Sequence, residues 1–365
     1  MKAQAGYKSR AERVRKAAEE AGLACVLVVP GPNMRYFTGV SSFLLERTFL
    51  LLIPSEGEPR LVAPAIEAGP YAESPLDISI YAWTDSEGPG GALARAVRGL
   101  GSGSWGVEGR APFQYLSVLK KYTGAELEDA EPILQGLRAI KGDDEVTLMK
   151  RSAKILSETI EEAPALVEVG ASELDLAGRL MEFIRSKGGS TPPDLLVQSG
   201  VRSADPHCTA SKKRIKSGDA IVLDLVSSFE GYHSDITRTI CAGSSKRLED
   251  VYEKVLEAQS RAISAAAEDV PVGAVDKAAR EYLESRGLGK HFTHRTGHGL
   301  GLEEHEAPYI VEGGEERLKE NMFFTVEPGA YIAGKLGVRI EDDIMISGGK
   351  AVEITNPPKQ YGWWK

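Results

Sequence analysis

Two strand-like runs stand next to each other in the second half of the chain, and a carboxylate interrupts each. Residues 220–226 read Ala-Ile-Val-Leu-Asp-Leu-Val, apolar and β-branched except at Asp224; residues 227–231 have turn chemistry; residues 232–240 return to a strand-like alternation that contains Asp235. A hairpin with one carboxylate per strand is a severe constraint. A buried carboxylate without compensation is so costly that it normally has a cation or hydrogen-bond donors beside it. Backbone amides or an arginine such as Arg238 would serve Asp224, and so would a metal ion; the hairpin alone leaves these open.

Further metal-ligand side chains follow in the same half. His298 sits in His-Arg-Thr-Gly-His-Gly-Leu-Gly-Leu (294–302), between glycines that allow close backbone approach or unusual φ values. All six histidines fall between His207 and His305, which argues against a scattered structural role. The zinc-protease motif needs a second histidine four residues beyond the first; Tyr309 stands four after His305, so that class is rejected. Glu327 and Glu341 each close an apolar, β-prone stretch. Arg339, two residues before Glu341, lies on the same strand face and is placed to hold a ligand carboxylate. Asp224, Asp235, His298, Glu327 and Glu341 form a donor set of four carboxylates and one imidazole that suits two divalent cations.

At 365 residues the chain exceeds the usual single domain. Strand candidates at 23–29, 49–53 and 61–63, a turn at Gly31-Pro32-Asn33 and a helical stretch at 11–21 indicate an α/β domain. Pro132, Gly136 and Lys141-Gly142-Asp143-Asp144 interrupt the pattern, giving expected domains of 1–135 and 136–365. A helix over 144–163 should follow, capped by Asp143 or Asp144. Gly101-Ser102-Gly103-Ser104-Trp105-Gly106 has the glycine spacing of a dinucleotide loop, but helix precedes strand there, the reverse of the order that such a loop needs. A net charge of −9 and the absence of clustered basic residues disfavour nucleic acid. No apolar run reaches membrane-spanning length and no signal core follows the N-terminal basic residues, so a cytoplasmic protein is expected. Cys25, Cys208 and Cys241 are too few for a disulfide framework and read as reduced thiols.

Taken together, Pro206-His207, Asp224, Gly231-Tyr232, Asp235 through Thr239, Gly297-His298-Gly299, His305-Glu306, Val326-Glu327-Pro328-Gly329 and Val338 through Asp342 resemble the pita-bread metallopeptidases, from about Leu137 to the C-terminus. The separate N-terminal domain points to the prolyl-bond branch, that of prolidase and aminopeptidase P; Asn33 through Gly39 is similar to the creatinase-type N-terminal domain. The helix expected after residue 143 resembles the first element of the family's catalytic domain. One departure stands out: Val226 occupies a position where relatives commonly carry glycine.

The resemblance implies a creatinase-like α/β domain followed by a pita-bread catalytic domain, α/β (α+β) in all. It implies two divalent ions on Asp224, Asp235, His298, Glu327 and Glu341, manganese being the first expectation with cobalt, zinc or iron open. It further implies non-ligand catalytic roles for His207 and His305 and a homodimer; Glu327 is in addition the candidate proton shuttle between the attacking water and the leaving nitrogen. The substrate would be a proline-containing di- or oligopeptide. Arg295 and Arg339 are candidates for its carboxylate or for holding ligands. An Xaa-Pro dipeptidase is the first reading and an Xaa-Pro aminopeptidase the second. A metal-free binding module or creatinase-like hydrolase is the more distant alternative, since fold alone does not fix function.

Overall fold

The computed structural model describes residues 2–101 and 103–365. The chain divides into two compact units, Met1–Arg138 and Ala139–Lys365. The first is built from α1 (Lys2–Glu20), β1 (Cys25–Val28), α2 (Pro32–Thr38), β2 (Leu50–Pro54), β3 (Arg60–Pro64), β4 (Ser79–Trp83), α3 (Gly90–Ala96), β5 (Trp105–Val107), α4 (Phe113–Leu119), β6 (Leu127–Asp129) and α5 (Glu131–Ala139). Its six strands form one mixed sheet in the order β4-β3-β2-β1-β5-β6. Central β1 runs antiparallel to β2 and parallel to β5. All four of its residues are buried, as a strand covered on both faces requires, which explains the unbroken run Cys-Val-Leu-Val. Leu27, Leu50, Val62, Trp105 and Leu93 meet in its core. Pro32 opens α2 rather than closing a turn: its fixed φ suits the first helical position, where no N–H partner exists. The glycine run follows α3 and ends inside β5, helix before strand, with Ser102 outside the described residues.

The second unit continues with α6 (Asp143–Leu166), α7 (Glu173–Ser186), β7 (Leu196–Ser199), β8 (Ala220–Phe229), β9 (Tyr232–Cys241), α8 (Lys246–Ala265), α9 (Val272–Ser285), β10 (Gly297–Gly299), β11 (Glu306–Ile310), β12 (Phe323–Val326), β13 (Gly329–Ile332), β14 (Leu336–Arg339), β15 (Asp342–Ser347) and β16 (Lys350–Glu353). The N-cap of α6 is Gly142, whose backbone N–H donates to Glu145 Oε2 at 2.9 Å; Asp143 and Asp144 fall one and two positions later, in the first turn, where they complement the helix dipole. The strands form three antiparallel groups, β7-β8-β9, β11-β10-β12-β15-β16 and β13-β14. The first packs Ile221, Leu223, Leu225 and Ile236 against Leu156, Ile160 and Leu180 of α6 and α7. The core beneath α8 and α9 gathers Val255, Val275, Phe324, Val338 and Ile344. Among the described residues no helix is long and apolar enough to cross a membrane.

The central hairpin is tighter than the sequence suggests. Ser227, Ser228 and Phe229 continue β8 and pair with β9 out to Phe229 opposite Tyr232, leaving Glu230 and Gly231, both with positive φ, as the turn. Ser227 is buried and Ser228 half-buried, so small polar residues that looked like a loop are strand.

Candidate metal centre

Strand register decides which side chains converge. Asp224 on β8 lies opposite Thr237 on β9, and Val226 lies opposite Asp235. Opposed residues, and residues two apart along a strand, point to the same face, so Asp224, Val226, Asp235 and Thr237 share one. β10 contributes His298. Glu327 directly follows β12, its backbone N–H donating to the Thr296 carbonyl at 2.8 Å; Glu341 stands between β14 and β15, its N–H donating to the Thr237 carbonyl at 3.0 Å. Side-chain atoms of Asp224, Asp235 and Glu341, of His298, Glu327 and Glu341, and of Asp235, His298 and His305 form three groups, each with its candidate ligand atoms within 4.8 Å of one another.

The electrostatics of this cluster call for cations. Asp235 Oδ1 and Glu341 Oε1 are buried with no hydrogen-bond partner in the protein. Burial pushes the Asp235 and Glu341 carboxyls well above the usual carboxylate range, and their acidic neighbours add to the shift, Glu341 on Asp235 and Glu327 on Glu341. Glu327 is raised by burial as well, with Arg339 opposing. Anionic oxygens packed this way repel one another, and a divalent cation converts the repulsion into ligation. His298 agrees. Burial, with His305 second, lowers its pKa to about 3, so the ring is neutral. Nδ1 lies 3.0 Å from the Gly299 carbonyl and therefore carries the proton, leaving the Nε2 lone pair for the cluster, 3.5 Å from Glu327 Oε1 and 3.8 Å from Asp235 Oδ2. The donor set and its unpartnered oxygens fit divalent ions.

Arg339, not Arg238, is the arginine beside Asp224: its Nη2 donates to Asp224 Oδ2. Its Nε donates to Thr237 Oγ1 at 3.0 Å, and that hydroxyl donates to Glu341 Oε2 at 2.6 Å. One guanidinium thus orients two of the carboxylates, one directly and one through Thr237. Its Nη1 donates to Tyr331 OH at 2.7 Å, and Tyr331 OH sits 2.9 Å from His294 Nε2. Asp343 accepts from Ser234 Oγ and from the Asp235 backbone N–H, fixing the strand just where Asp235 projects.

The five candidate ligands and Arg339 line a cleft of about 420 Å³ that also contains Leu196, Pro206, His207, His294, Arg295, Glu304 and His305. His207 is exposed at its wall, held by its backbone N–H to Asp205 Oδ1 at 3.2 Å. The His305 ring lies against His298, tilted by 43°, with ring centroids 3.9 Å apart. Arg295 Nη2 lies 3.4 Å from His305 Nδ1, and its guanidinium covers the Tyr309 ring at 4.5 Å. The structure therefore brings every one of the candidate residues to a single cleft. A larger opening of about 890 Å³, against α9 and residues 312–317, holds none of them. Cys208 is half-buried and burial raises its pKa, which leaves it a poor nucleophile. Sequence reasoning passed over Glu304, which lines the cleft with its oxygen 3.9 Å from His305 Nε2, and the orienting residues Thr237, Tyr331 and Asp343. Glu304 sits in a run with Glu303 and Glu306 whose spacing does not tell which one faces inward; Glu306 in fact turns away to pair with buried Lys141 at 2.9 Å.

Comparison with known proteins identifies the family. The family described as metallopeptidase family M24 matches residues 147–348, and the creatinase/prolidase N-terminal domain matches residues 10–140. The chain is 33% identical over 359 residues to a probable dipeptidase PepE of Mycobacterium tuberculosis, covering 97% of this chain and 96% of that one. It is 32% identical over 356 residues to an Xaa-Pro dipeptidase of Pyrococcus horikoshii, covering 96% and 98%. The solved recombinant prolidase from Thermococcus sibiricus superposes with a TM-score of 0.91 at 34% identity, covering 97% of this chain and 98% of that one.

Proposed function

We propose, since the chain belongs to metallopeptidase family M24, that it hydrolyses the bond preceding proline in dipeptides, as an Xaa-Pro dipeptidase. The observation that carries the chemistry is the pair of buried, unpartnered carboxylate oxygens, Asp235 Oδ1 and Glu341 Oε1, on the floor of a cleft whose wall carries three further donors. The substrate assignment draws on the names of relatives similar over nearly the whole chain. Residues 136–365 would form the pita-bread catalytic domain and 1–135 a creatinase-like N-terminal domain, a division supported by the break at Arg138/Ala139 and by the two family matches.

Asp224, Asp235, His298, Glu327 and Glu341 would hold two divalent ions, with manganese favoured by so oxygen-rich a set. Such ions, when bound, supply Lewis acidity that polarises the scissile carbonyl and makes water a nucleophile near neutral pH. The protein's own groups do the rest. Glu327 takes a proton from the attacking water and returns it to the proline nitrogen as the C–N bond breaks, which that nitrogen needs because it is too basic to leave as an anion. His207 and His305 hydrogen-bond the carbonyl oxygen as it gains charge. Arg295, at the cleft wall and already gathered against Tyr309, is suited to receive the dipeptide carboxylate, whereas Arg339 is committed to Asp224 and Thr237. We place the enzyme in the cytoplasm as a homodimer.

The test is hydrolysis of Leu-Pro and Leu-Pro-Gly-Gly by chelator-stripped protein with manganese, cobalt or zinc added back. Cleavage of the dipeptide alone, restored by metal, is the expected result. Cleavage of the longer peptide would make the enzyme an Xaa-Pro aminopeptidase, and inactivity on both would overturn the proline-bond reading.

A further inference from the structure

β9 has two working faces. Asp235 and Thr237 point toward the carboxylate cluster; Arg238 points to the other side, where it is fully buried. There it uses all five of its N–H donors. Nε donates to the Pro358 carbonyl at 3.2 Å; Nη1 donates to the carbonyls of Thr237 at 3.0 Å and Glu341 at 2.6 Å; Nη2 donates to Asp342 Oδ1 at 2.7 Å and to the Pro357 carbonyl at 3.1 Å. Asp342 is equally saturated, accepting from Thr355 Oγ1 at 3.0 Å, Gln259 Nε2 at 3.0 Å and Lys359 Nζ at 3.2 Å. The segment carrying those proline carbonyls is pinned further on, where Tyr252 OH donates to the Lys359 carbonyl at 3.0 Å and Tyr361 OH to the Ser245 carbonyl at 3.1 Å.

This geometry couples two distant parts of the chain through one planar group. A buried guanidinium whose donors lose their acceptors carries a large penalty, so it must either keep all five bonds or move. Two of the five acceptors belong to the C-terminal segment, and two are the main-chain carbonyls of Thr237 and Glu341. Pro357 and Pro358 have fixed φ and no N–H, so they present their carbonyls stiffly. If the segment lifts, the guanidinium loses two of its five acceptors, and its hold on the Glu341 carbonyl weakens, leaving Thr237 as the remaining restraint on Glu341 and its carboxylate. We infer that Arg238 is a positioning residue for the metal centre, through which C-terminal residues 357–359 set the affinity for the ions held by Asp235 and Glu341. The inference rests on those residues being metal ligands.

Both readouts use metal alone, without peptide. In the first, manganese affinity is measured by calorimetry on metal-free wild type, Arg238→Lys and Lys359→Met, together with the melting temperature of each metal-free protein. Lysine keeps the charge facing Asp342 but cannot span the four carbonyls, so the manganese Kd should rise at least ~10-fold, as for other residues that orient ligands; Lys359→Met should raise it by a smaller factor. A purely structural role would lower the melting temperature and leave the Kd of the folded protein unchanged. In the second, amide exchange of residues 359–365 is followed in wild type with and without manganese. Coupling is reciprocal, so bound metal should slow exchange there, and if Arg238→Lys fails to fold this measurement decides. An unaltered Kd in Arg238→Lys, or segment exchange indifferent to manganese, overturns the inference. Wild type that binds no divalent ion overturns the metal-centre reading and this inference with it, whereas normal wild-type binding with unaltered variants overturns the inference alone.

Discussion

Asp235 and His207 occupy the same cleft but differ in what surrounds them, and that difference can be measured. Asp235 is buried, with one oxygen unpartnered and the other 3.8 Å from His298 Nε2. Asp235→Asn should reduce hydrolysis to background and lower the metal content found by elemental analysis after dialysis, because an amide cannot replace an anionic ligand. Full activity in that variant would rule out the two-ion site. His207 is exposed and belongs to none of the groups of candidate ligand atoms. His207→Ala should lose about 10²–10³-fold in kcat, as expected for a donor to a developing oxyanion, with metal content unchanged. The four carboxylate candidates were legible in the sequence because each interrupts or ends a strand-like run, and His298 because glycines flank it and all six histidines cluster in one stretch. Thr237, Tyr331 and Asp343 were not, because a polar side chain that completes a buried network looks in sequence like any other strand residue.

Among the elements, β10 is the most demanding. Its three residues are squeezed between β11 and β12, and neither flanking glycine has positive φ. Unusual φ is therefore not why they are glycines; close approach is. A Cβ on Gly299 would stand 2.2 Å from the Ala307 carbonyl oxygen, and one on Gly297 1.9 Å from the Thr325 carbonyl oxygen, both main-chain atoms that a rotamer change cannot move. Gly299→Ala should cost roughly 2 kcal/mol or more, the upper range for forcing atoms into a packed interior, and should weaken manganese binding by displacing His298. Thermal unfolding and calorimetry on the variant check both, and a wild-type melting temperature would count against the close-approach argument. The hairpin of β8 and β9 was readable from an apolar, β-branched run followed by an alternating one, but its turn was misplaced, since Ser227 and Ser228 have turn chemistry in sequence and strand pairing in the fold. Pro32 misled in the same way: proline suits a turn and the first position of a helix equally, and only the apolar residues after it, Met34, Tyr36 and Phe37, all buried, favour the helix.

For the whole molecule, the two units offer separate levers on stability. If the proposed metal centre in the second unit holds divalent ions, saturation at about 1,000 times Kd should add about 4 kcal/mol, or roughly 8–16 °C in melting temperature, and chelation should remove it. The N-terminal unit holds a different lever in Glu108. Its carboxyl is almost fully buried, accepts from Asn33 Nδ2 at 3.0 Å and from the Val29 backbone, and faces Glu131 and Arg138. Burial raises its pKa to about 7, outweighing the bond from Asn33. A carboxyl raised on folding is the reverse of a salt-bridged one: below the unfolded pKa it is protonated in both states and its contribution is fully present, and as pH climbs through 7 the folded protein must ionise a buried group and the contribution is lost. The loss between pH 5 and 8.5 should be about 3 kcal/mol at most. Glu108→Gln keeps an acceptor oxygen for Asn33 and cannot ionise, so its stability should stay nearly level over that range while the wild type declines. Urea unfolding of both chelated proteins at pH 5, 7 and 8.5 would show this, and parallel decline of the two would mean that Glu108 is already ionised in the fold and held by Asn33 and Arg138.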